Sequence, residues 1–132
     1  MMIQQLAVIL ENRPGQISQV TELLAQNHID IQALNTAETT DYGILRLIVA
    51  APQRAAALLE AQGFIVKKVP VVQTPVPDKS GRLNTVLRAI AAAEIDISYM
   101  YSMLGQQNGL SYMIFRADDA AKLEAVLDEI VE

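Results

Sequence analysis

The sequence has 132 residues, 52% of them hydrophobic and 19% charged, with a net charge of −5 and no cysteine. This composition is typical of a folded domain, excludes disorder, disulfide frameworks and thiol chemistry, and opposes nucleic-acid binding, which requires a basic surface. Because no apolar run reaches the ~20 residues that cross a bilayer and the first residues lack a signal-peptide pattern, we expect a cytoplasmic protein without a membrane partner.

The first half of the chain is predicted to begin with a strand, a turn and a helix. Residues 3–10 read as a largely apolar strand, and Glu11 to Gly15 as a turn. A helix is indicated next by an apolar stripe with helical spacing, formed by Ile17, Val20, Leu23 and Leu24. A strand over residues 29–38 follows this helix.

A hairpin, a second helix and a fourth strand complete this half. The turn over 39–43 leads into a strand over 44–50. Pro52 suits the first turn of a helix, Gly63 is placed to cap its end, and residues 64–69 read as a strand. The predicted order is therefore β-α-β-β-α-β.

The second half repeats the first at an offset of 66 residues (81 − 15), which aligns Gly81 with Gly15. The triplet Ile29-Asp30-Ile31 recurs at the same offset as Ile95-Asp96-Ile97. A fixed period in a chain this short indicates two copies of one supersecondary unit. We expect an α+β fold of two tandem ferredoxin-like βαββαβ units, residues 1–69 and 70–132, packed side by side, with antiparallel sheets and helices on one face.

The first strand of the second copy is predicted over residues 71–77, where Pro75 belongs at an edge or bulge because proline cannot donate to a ladder. Pro70, Pro75 and Pro77 together predict a hinge between the copies. The last helix runs almost to the end of the sequence, so this copy lacks a final strand, and the first copy or another chain must supply that edge.

The rest of the second copy contains two predicted helices and two predicted strands. The first helix has the stripe Leu83, Val86, Leu87 and Ile90, and a strand over 95–104 follows it. A turn from Gly105 to Gly109 leads into a strand over 110–116, and the last helix is capped by Asp118-Asp119 and has the stripe Leu123, Val126, Leu127 and Ile130.

The predicted sheets have an apolar face that helices do not cover. Both faces of strand 44–49 are apolar apart from Arg46, and Tyr99, Tyr101 and Met103 share one face of their strand. An uncovered apolar face favours a homodimer that buries it, and the alternative is that these are ordinary core residues.

The most specific string is Glu11-Asn12-Arg13-Pro14-Gly15-Gln16-Ile17, and its partner in the second copy is Asp78-Lys79-Ser80-Gly81-Arg82-Leu83. With the βαββαβ order, these strings resemble the ACT domain, the regulatory module that binds amino acids in biosynthetic enzymes. The resemblance covers essentially the whole chain twice, and the chain is similar to stand-alone proteins made of two tandem ACT domains. The match is weaker in the second copy, where Ser80 replaces the proline.

A glycine at a helix entry has its own physical reason, because backbone can approach a ligand there without a Cβ in the way. The first amides of the helix are unsatisfied and carry the positive end of its dipole, so a carboxylate fits. We therefore expect ligand contacts at both glycine turns. The candidate residues are Asn12, Arg13, Gly15, Gln16 and Ile17 in the first copy, and Asp78, Lys79, Gly81, Arg82 and Leu83 in the second.

The resemblance also implies how an ammonium group is recognised. Serine-binding ACT relatives use a loop asparagine, here Asn12 with Asp78 in the second copy, and a polar residue on the second strand of the neighbouring domain, here Asp30 and Asp96. Those relatives also have a histidine two positions before the asparagine. Leu10 and Val76 stand there in this chain, which favours a larger or apolar side chain over serine.

Each candidate has a plainer interpretation. Asn12 and Asp78 are residue types that cap helices, Asp30 and Asp96 could only mark strand starts, and Arg13 and Arg82 could be solvated surface charges.

The leading hypothesis is a non-catalytic regulatory protein that binds a small amino acid at the interface between ACT units, without cofactor or metal. Binding is expected to change the conformation of the protein or its affinity for a partner. The alternative is the regulatory (small) subunit of a biosynthetic enzyme such as acetolactate synthase. An enzyme is disfavoured because the chain has one histidine and no catalytic motif. RNA binding is disfavoured because strand 3–10 lacks the aromatic stacking residues of an RRM.

Overall fold

A computed structural model describes residues 1–105 and 108–131. This part of the chain forms two compact units, Gln4–Val69 and Pro70–Glu132 together with Met1–Ile3. None of its helices has the length and apolar character needed to span a bilayer. In chain order the elements are β1 (Met2–Leu10), α1 (Gln16–Gln26), β2 (Ile31–Glu38), β3 (Gly43–Val49), α2 (Pro52–Ala61), β4 (Ile65–Pro77), α3 (Arg82–Ala92), β5 (Tyr99–Ser102), β6 (Leu110–Arg116) and α4 (Ala120–Val131).

The unit Gln4–Val69 has its strands in the order β2-β3-β1-β4, and β3 pairs antiparallel with both β1 and β2. Leu47 marks the register, because it lies opposite Leu6 of β1 and Leu34 of β2. α1 and α2 pack on one face of this sheet, where Val20 and Leu24 of the predicted α1 stripe are buried, whereas Ile17 of that stripe is 42% exposed. The buried core consists of Leu6, Val8, Leu10, Val20, Leu24, Ile29, Leu45, Leu47, Val49, Ala55, Ala56 and Leu59.

The second unit contains the order β4-β6-β5, again antiparallel, with α3 and α4 packed on one face. The start of the chain supplies the edge that the sequence left open. The Met1 ammonium donates to the Gln73 carbonyl, and the Gln73 N–H donates to the Met1 carbonyl, both at 2.8 Å. Its core consists of Val72, Val76, Val86, Ile90, Phe115, Ala117, Leu123 and Leu127.

β4 corrects the prediction of two separate strands, 64–69 and 71–77, because residues 65–77 form one unbroken strand. Gln73 donates toward Met1, so the nitrogen of Pro75, two residues further along, faces the same side. β1 does not extend that far, and the missing N–H of Pro75 therefore breaks no ladder hydrogen bond. The predicted edge position of Pro75 is confirmed, and the predicted break between two strands is wrong.

The predicted strands 29–38 and 95–104 are shorter, since β2 begins at Ile31 and β5 spans Tyr99–Ser102. The reason lies in how α1 and α3 end. His28 and Glu94 have positive φ angles of 57° and 58°, and the amides of Ile29 and Ile95 donate back to carbonyls of the preceding helix. Donors used in this way cannot pair in a sheet. The predicted turn from Gly105 to Gly109 includes residues 106 and 107, which lie outside the described residues.

The face opposite the helices is apolar, as predicted, but it is partly buried within a single chain. Ala33 and Ile48 pair on this face and are 0% and 3% exposed. Tyr101 and Ile114 pair in the same way and are 8% and 0% exposed. Less of this face is therefore available to a partner than the sequence pattern suggests, and the homodimer stays a prediction.

The cap of α4 gives a first stability prediction. The Lys122 N–H donates to Asp119 Oδ1 at 3.0 Å, and the Leu123 N–H donates to the Asp119 carbonyl at 3.1 Å. Asp119→Ala is expected to lower the free energy of unfolding by about 1 kcal/mol, the usual loss for a helix cap, in chemical denaturation. Asp118→Ala is the control, because Asp118 is exposed and makes no such bond. Equal losses in the two variants would argue against the cap.

Candidate functional site

The first glycine turn exposes backbone donors. Gly15 has φ 86° and ψ −5°, in the left-handed region, and α1 begins at the next residue. The first hydrogen bond of the helix runs from the Gln19 N–H to the Gly15 carbonyl at 3.0 Å. The amides of Gln16, Ile17 and Ser18 therefore precede the helical ladder, and no side chain caps them. These three donors, at the positive end of the helix dipole, can receive an anion.

Gln16 fixes the shape of this turn. Its side chain is 7% exposed, its Oε1 accepts a hydrogen bond from the Glu11 N–H at 3.0 Å, and its Nε2 donates to Gln19 Oε1 at 3.1 Å. The side chain thus joins the end of β1 to the first turn of α1. These contacts occupy the polar atoms of the Gln16 side chain.

Asn12 and Arg13 are exposed side chains at the rim of the turn. Arg13 Nε donates to Glu11 Oε2 at 2.8 Å, and this exposed pair adds at most about 1 kcal/mol of stability. Asn12 Oδ1 lies beside Gly43, 3.9 Å from the position that a Cβ would occupy there. Gly15 and Gly81 occupy the N-cap positions of α1 and α3, so the interpretation of Asn12 and Asp78 as the N-cap residues is wrong.

A cleft of about 410 Å³ lies beside this turn, and we call it the turn cleft. It brings together Asn12, Arg13, Gln16 and Ile17 of the predicted site, whereas Gly15 and Asp30 do not line it. A second depression of about 740 Å³ also contacts Asn12 and Arg13, but polar side chains of α1 such as Glu22 flank it. The turn cleft is lined by Leu10, Glu11, Asn12, Arg13, Pro14, Gln16, Ile17, Thr36, Ala37, Glu38, Gly43 and Ile44.

Sequence reasoning missed the part of the cleft that comes from the hairpin of β2 and β3. Strand register brings it there, because Gly43 lies opposite Leu10 on β1 and opposite Glu38 on β2. The available signal was the antiparallel order itself, which places the end of β1 beside the start of β3. Ile44, together with Leu10 and Ile17, gives the cleft an apolar wall, and Glu38 adds a carboxylate.

Asp30 and Asp96, the aspartates predicted on the second strands, are separated from the glycine turns of their own units by a whole helix along the chain. Asp30 precedes β2, whereas the turn cleft is at the other end of that strand, roughly 20 Å away for six extended residues. Asp96 lies in the connection ahead of β5 and is exposed like Asp30. Neither aspartate belongs to the turn cleft.

The second glycine turn has the same backbone as the first, with small differences. Gly81 has φ 86° and ψ −10°, and the Thr85 N–H donates to its carbonyl at 3.1 Å. The Arg82 N–H, however, already donates to the Lys79 carbonyl at 3.2 Å. One donor fewer is therefore available at this turn, where Asp78, Lys79, Gly81 and Leu83 are exposed. Arg82 alone of the second-copy candidates lines a described cavity, which has a volume of about 250 Å³.

Known proteins share the sequence pattern and the fold of this chain. A family model described as an ACT domain pair matches residues 1–131. The chain is similar to the crystal structure of protein BT0572 from Bacteroides thetaiotaomicron, with 37% identity, a TM-score of 0.89, and coverage of 98% of this chain and 88% of that one. No curated protein matches it significantly.

More distant structures share the fold. The ligand-free regulatory subunit of aspartate kinase from Thermus thermophilus is 15% identical, has a TM-score of 0.66, and is matched over 100% of this chain and 98% of that chain. A structure of aspartokinase alpha and beta subunits is 12% identical, with a TM-score of 0.59 and coverage of 98% and 95%. The resemblance inferred from the two glycine strings is thus confirmed: the chain belongs to the ACT domain pair family.

Proposed function

We propose that this protein is a non-catalytic regulatory protein that binds a small amino acid at its first glycine turn. One observation carries the proposal: Gln16, Ile17 and Ser18 present three backbone amides ahead of the helical ladder, beside a cleft large enough for an amino acid. Membership of the ACT domain pair family supports it.

The α-carboxylate of the ligand accepts hydrogen bonds from these amides. Each charge-assisted bond contributes about 1.5–3 kcal/mol, so two or three of them correspond to a dissociation constant between about 1 mM and 1 μM. Such an affinity suits a protein that responds to changing metabolite concentrations. The left-handed Gly15 is what allows the chain to enter the helix in this orientation.

The remaining groups of the cleft set the kind of amino acid. Asn12 Oδ1 and the Glu38 carboxylate offer acceptors for the ammonium group, and Arg13 stands at the rim. Leu10 and Ile44 surround the side chain of the ligand with apolar surface. We therefore propose an amino acid with an apolar side chain, rather than serine.

The other predicted contacts enter the proposal in a secondary role. Asp30 and Asp96 are acceptors for a site completed by a second copy of the chain, as in a homodimer. The second turn, with Asp78, Lys79, Gly81 and Leu83, binds more weakly because the Arg82 amide is already used. Sedimentation velocity tests the homodimer, with a species of twice the chain mass as the expected result.

Binding regulates through linkage, because a ligand that favours one conformation changes the affinity for a partner by the same free energy. A biosynthetic enzyme is the partner class that we propose, since regulatory subunits of aspartate kinase share the whole fold. The second candidate is a dedicated regulatory subunit, for example of acetolactate synthase. Affinity purification that retrieves a catalytic subunit in a stoichiometric complex would favour this second candidate.

Titration calorimetry with each of the twenty amino acids tests the proposal. We expect heat of binding from one or a few apolar amino acids, with dissociation constants of about 1 mM or lower. The N-acetylated form of the same amino acid serves as a control, since it retains the carboxylate and loses the ammonium charge, and should bind less tightly. The proposal is contradicted if none of the twenty amino acids gives heat of binding at millimolar concentration.

A further inference from the structure

Gly43 lies in the turn cleft at a point where the sheet lacks a side chain. Alternate residues of a strand share a face, so Leu47, Leu45 and Gly43 follow one another on the face of β3 that carries the helices. Leu47 and Leu45 are completely buried in the core of this unit. Gly43 is the next position on this face, and it lines the turn cleft. The cleft therefore begins where the row of leucines ends.

The strands on both sides of Gly43 carry full side chains at this level. Gly43 lies opposite Leu10 of β1 and opposite Glu38 of β2. Directly opposite residues place their side chains on the same face of a sheet, with Cβ atoms about 4.5–5.5 Å apart. The gap over Gly43 thus has an apolar side chain on one side and a carboxylate on the other. These are the two kinds of group that contact the side chain and the ammonium group of an amino acid.

The backbone does not require glycine at position 43. Gly43 lies outside the left-handed region, whereas Gly109, its counterpart at the 66-residue offset (109 − 43), has φ 74°. A Cβ on Gly43 would meet Leu10 Cβ and the Ala37 carbonyl at 3.8 Å and Asn12 Oδ1 at 3.9 Å, which is ordinary van der Waals contact. All three residues line the turn cleft, so this Cβ would occupy part of its volume. Glycine in a strand is less stable than alanine, and such a glycine often marks the close approach of a ligand.

Ile17 is the side chain of α1 that this gap leaves exposed. Val20 and Leu24 of the same stripe are buried, whereas Ile17 is 42% exposed and lines the turn cleft together with Gly43. The glycine offers Ile17 no side chain to pack against. An aliphatic group placed over Gly43 would bury apolar surface of both Ile17 and Leu10, which is favourable.

We propose that Gly43 determines which amino acids the turn cleft accepts, because it leaves room for an aliphatic side chain about as large as that of leucine. This inference rests on the proposed function. The side chain of the ligand lies over Gly43, between Leu10 and Ile17, and continues the row of leucines on β3. Its ammonium group lies toward Glu38, and its carboxylate lies at the amides that follow Gly15.

NMR titration of wild type and of Gly43→Ala with L-leucine and L-alanine tests the proposal, since it also measures weak binding. Wild type should bind leucine about tenfold or more tightly than alanine, because the leucine side chain buries more apolar surface. Gly43→Ala should bind leucine about tenfold or more weakly than wild type does, because the new methyl group takes the space of the ligand side chain. Its affinity for alanine should change by less than about twofold.

Gly109→Ala is the matched control. Alanine is disfavoured at φ 74°, so this variant should have a lower melting temperature than wild type but the same affinity for leucine. Gly43→Ala should show the reverse, with a melting temperature at or above that of wild type, because its Cβ fits the strand. The two variants thereby separate a glycine that the backbone requires from one that keeps the cleft open.

Three results would overturn the role of Gly43. The first is a Gly43→Ala variant that binds leucine as tightly as wild type, the second is an equal loss of affinity for leucine and alanine, and the third is a melting temperature below that of wild type. A wild-type chain that binds other amino acids but not leucine also overturns this inference and leaves the proposed function standing. A wild-type chain that binds none of the twenty contradicts both.

Discussion

The Leu47→Ala variant is expected to lower the free energy of unfolding by about 2–5 kcal/mol, the usual loss for a fully buried leucine. Leu47 is 0% exposed and lies on the central strand β3, where it pairs with Leu6 on one side and Leu34 on the other. Alanine at this position leaves a cavity that strands on both sides prevent from collapsing. Chemical denaturation followed by circular dichroism measures the loss.

Leu34→Ala is the matched control for this prediction. Leu34 lies directly opposite Leu47 but is 36% exposed, so truncation exposes little buried surface and should lower the free energy of unfolding by about 1 kcal/mol or less. If the two variants lose equal stability, Leu47 does not occupy the centre of this core and the register of β2 with β3 is wrong.

Gly15→Ala is expected to weaken amino-acid binding by about tenfold or more, because L-residues are disfavoured by about 1–2 kcal/mol in the left-handed region. A Cβ at Gly15 would meet no atom within 4 Å, so the backbone angle rather than a clash carries the effect. An alanine that relaxes toward negative φ turns the amides of Gln16 and Ile17 away from the cleft. Calorimetry with the amino acid found to bind wild type measures the change.

Gly81→Ala controls for strain alone. Gly81 has the same φ of 86° and equally open surroundings, so both variants should lose similar stability. Only Gly15→Ala should lose affinity for the tightly bound amino acid. Equal affinity in the two variants would show that the first glycine turn does not hold the ligand.

Local signals in the sequence predicted most of the fold. The stripes of α1 and α3 locate both helices, and these span Gln16–Gln26 and Arg82–Ala92, 66 residues apart (82 − 16). The continuity of β4 escaped prediction because the effect of Pro75 depends on which neighbouring strand its nitrogen faces. That is a property of strand pairing, which a proline within the sequence does not reveal.

Only those residues of the candidate site that are neighbours in the sequence could be predicted. Asn12, Arg13 and Ile17 reach the turn cleft because they flank the turn itself, whereas Glu38 and Ile44 arrive through the register of three strands. The burial of Gln16 was also not predictable, since a glutamine at a helix start is ordinarily solvated and here bonds to the backbone of Glu11.

The most direct test is an NMR titration of isotope-labelled protein with apolar amino acids, in which backbone amide chemical shifts are followed. It shows whether the amides that follow Gly15 bind the carboxylate of the ligand. The expected result is saturable movement that is largest at Gln16, Ile17 and Ser18, with much smaller changes at Leu83 and Asn84. Saturation that leaves those three signals in place while others move would contradict this account.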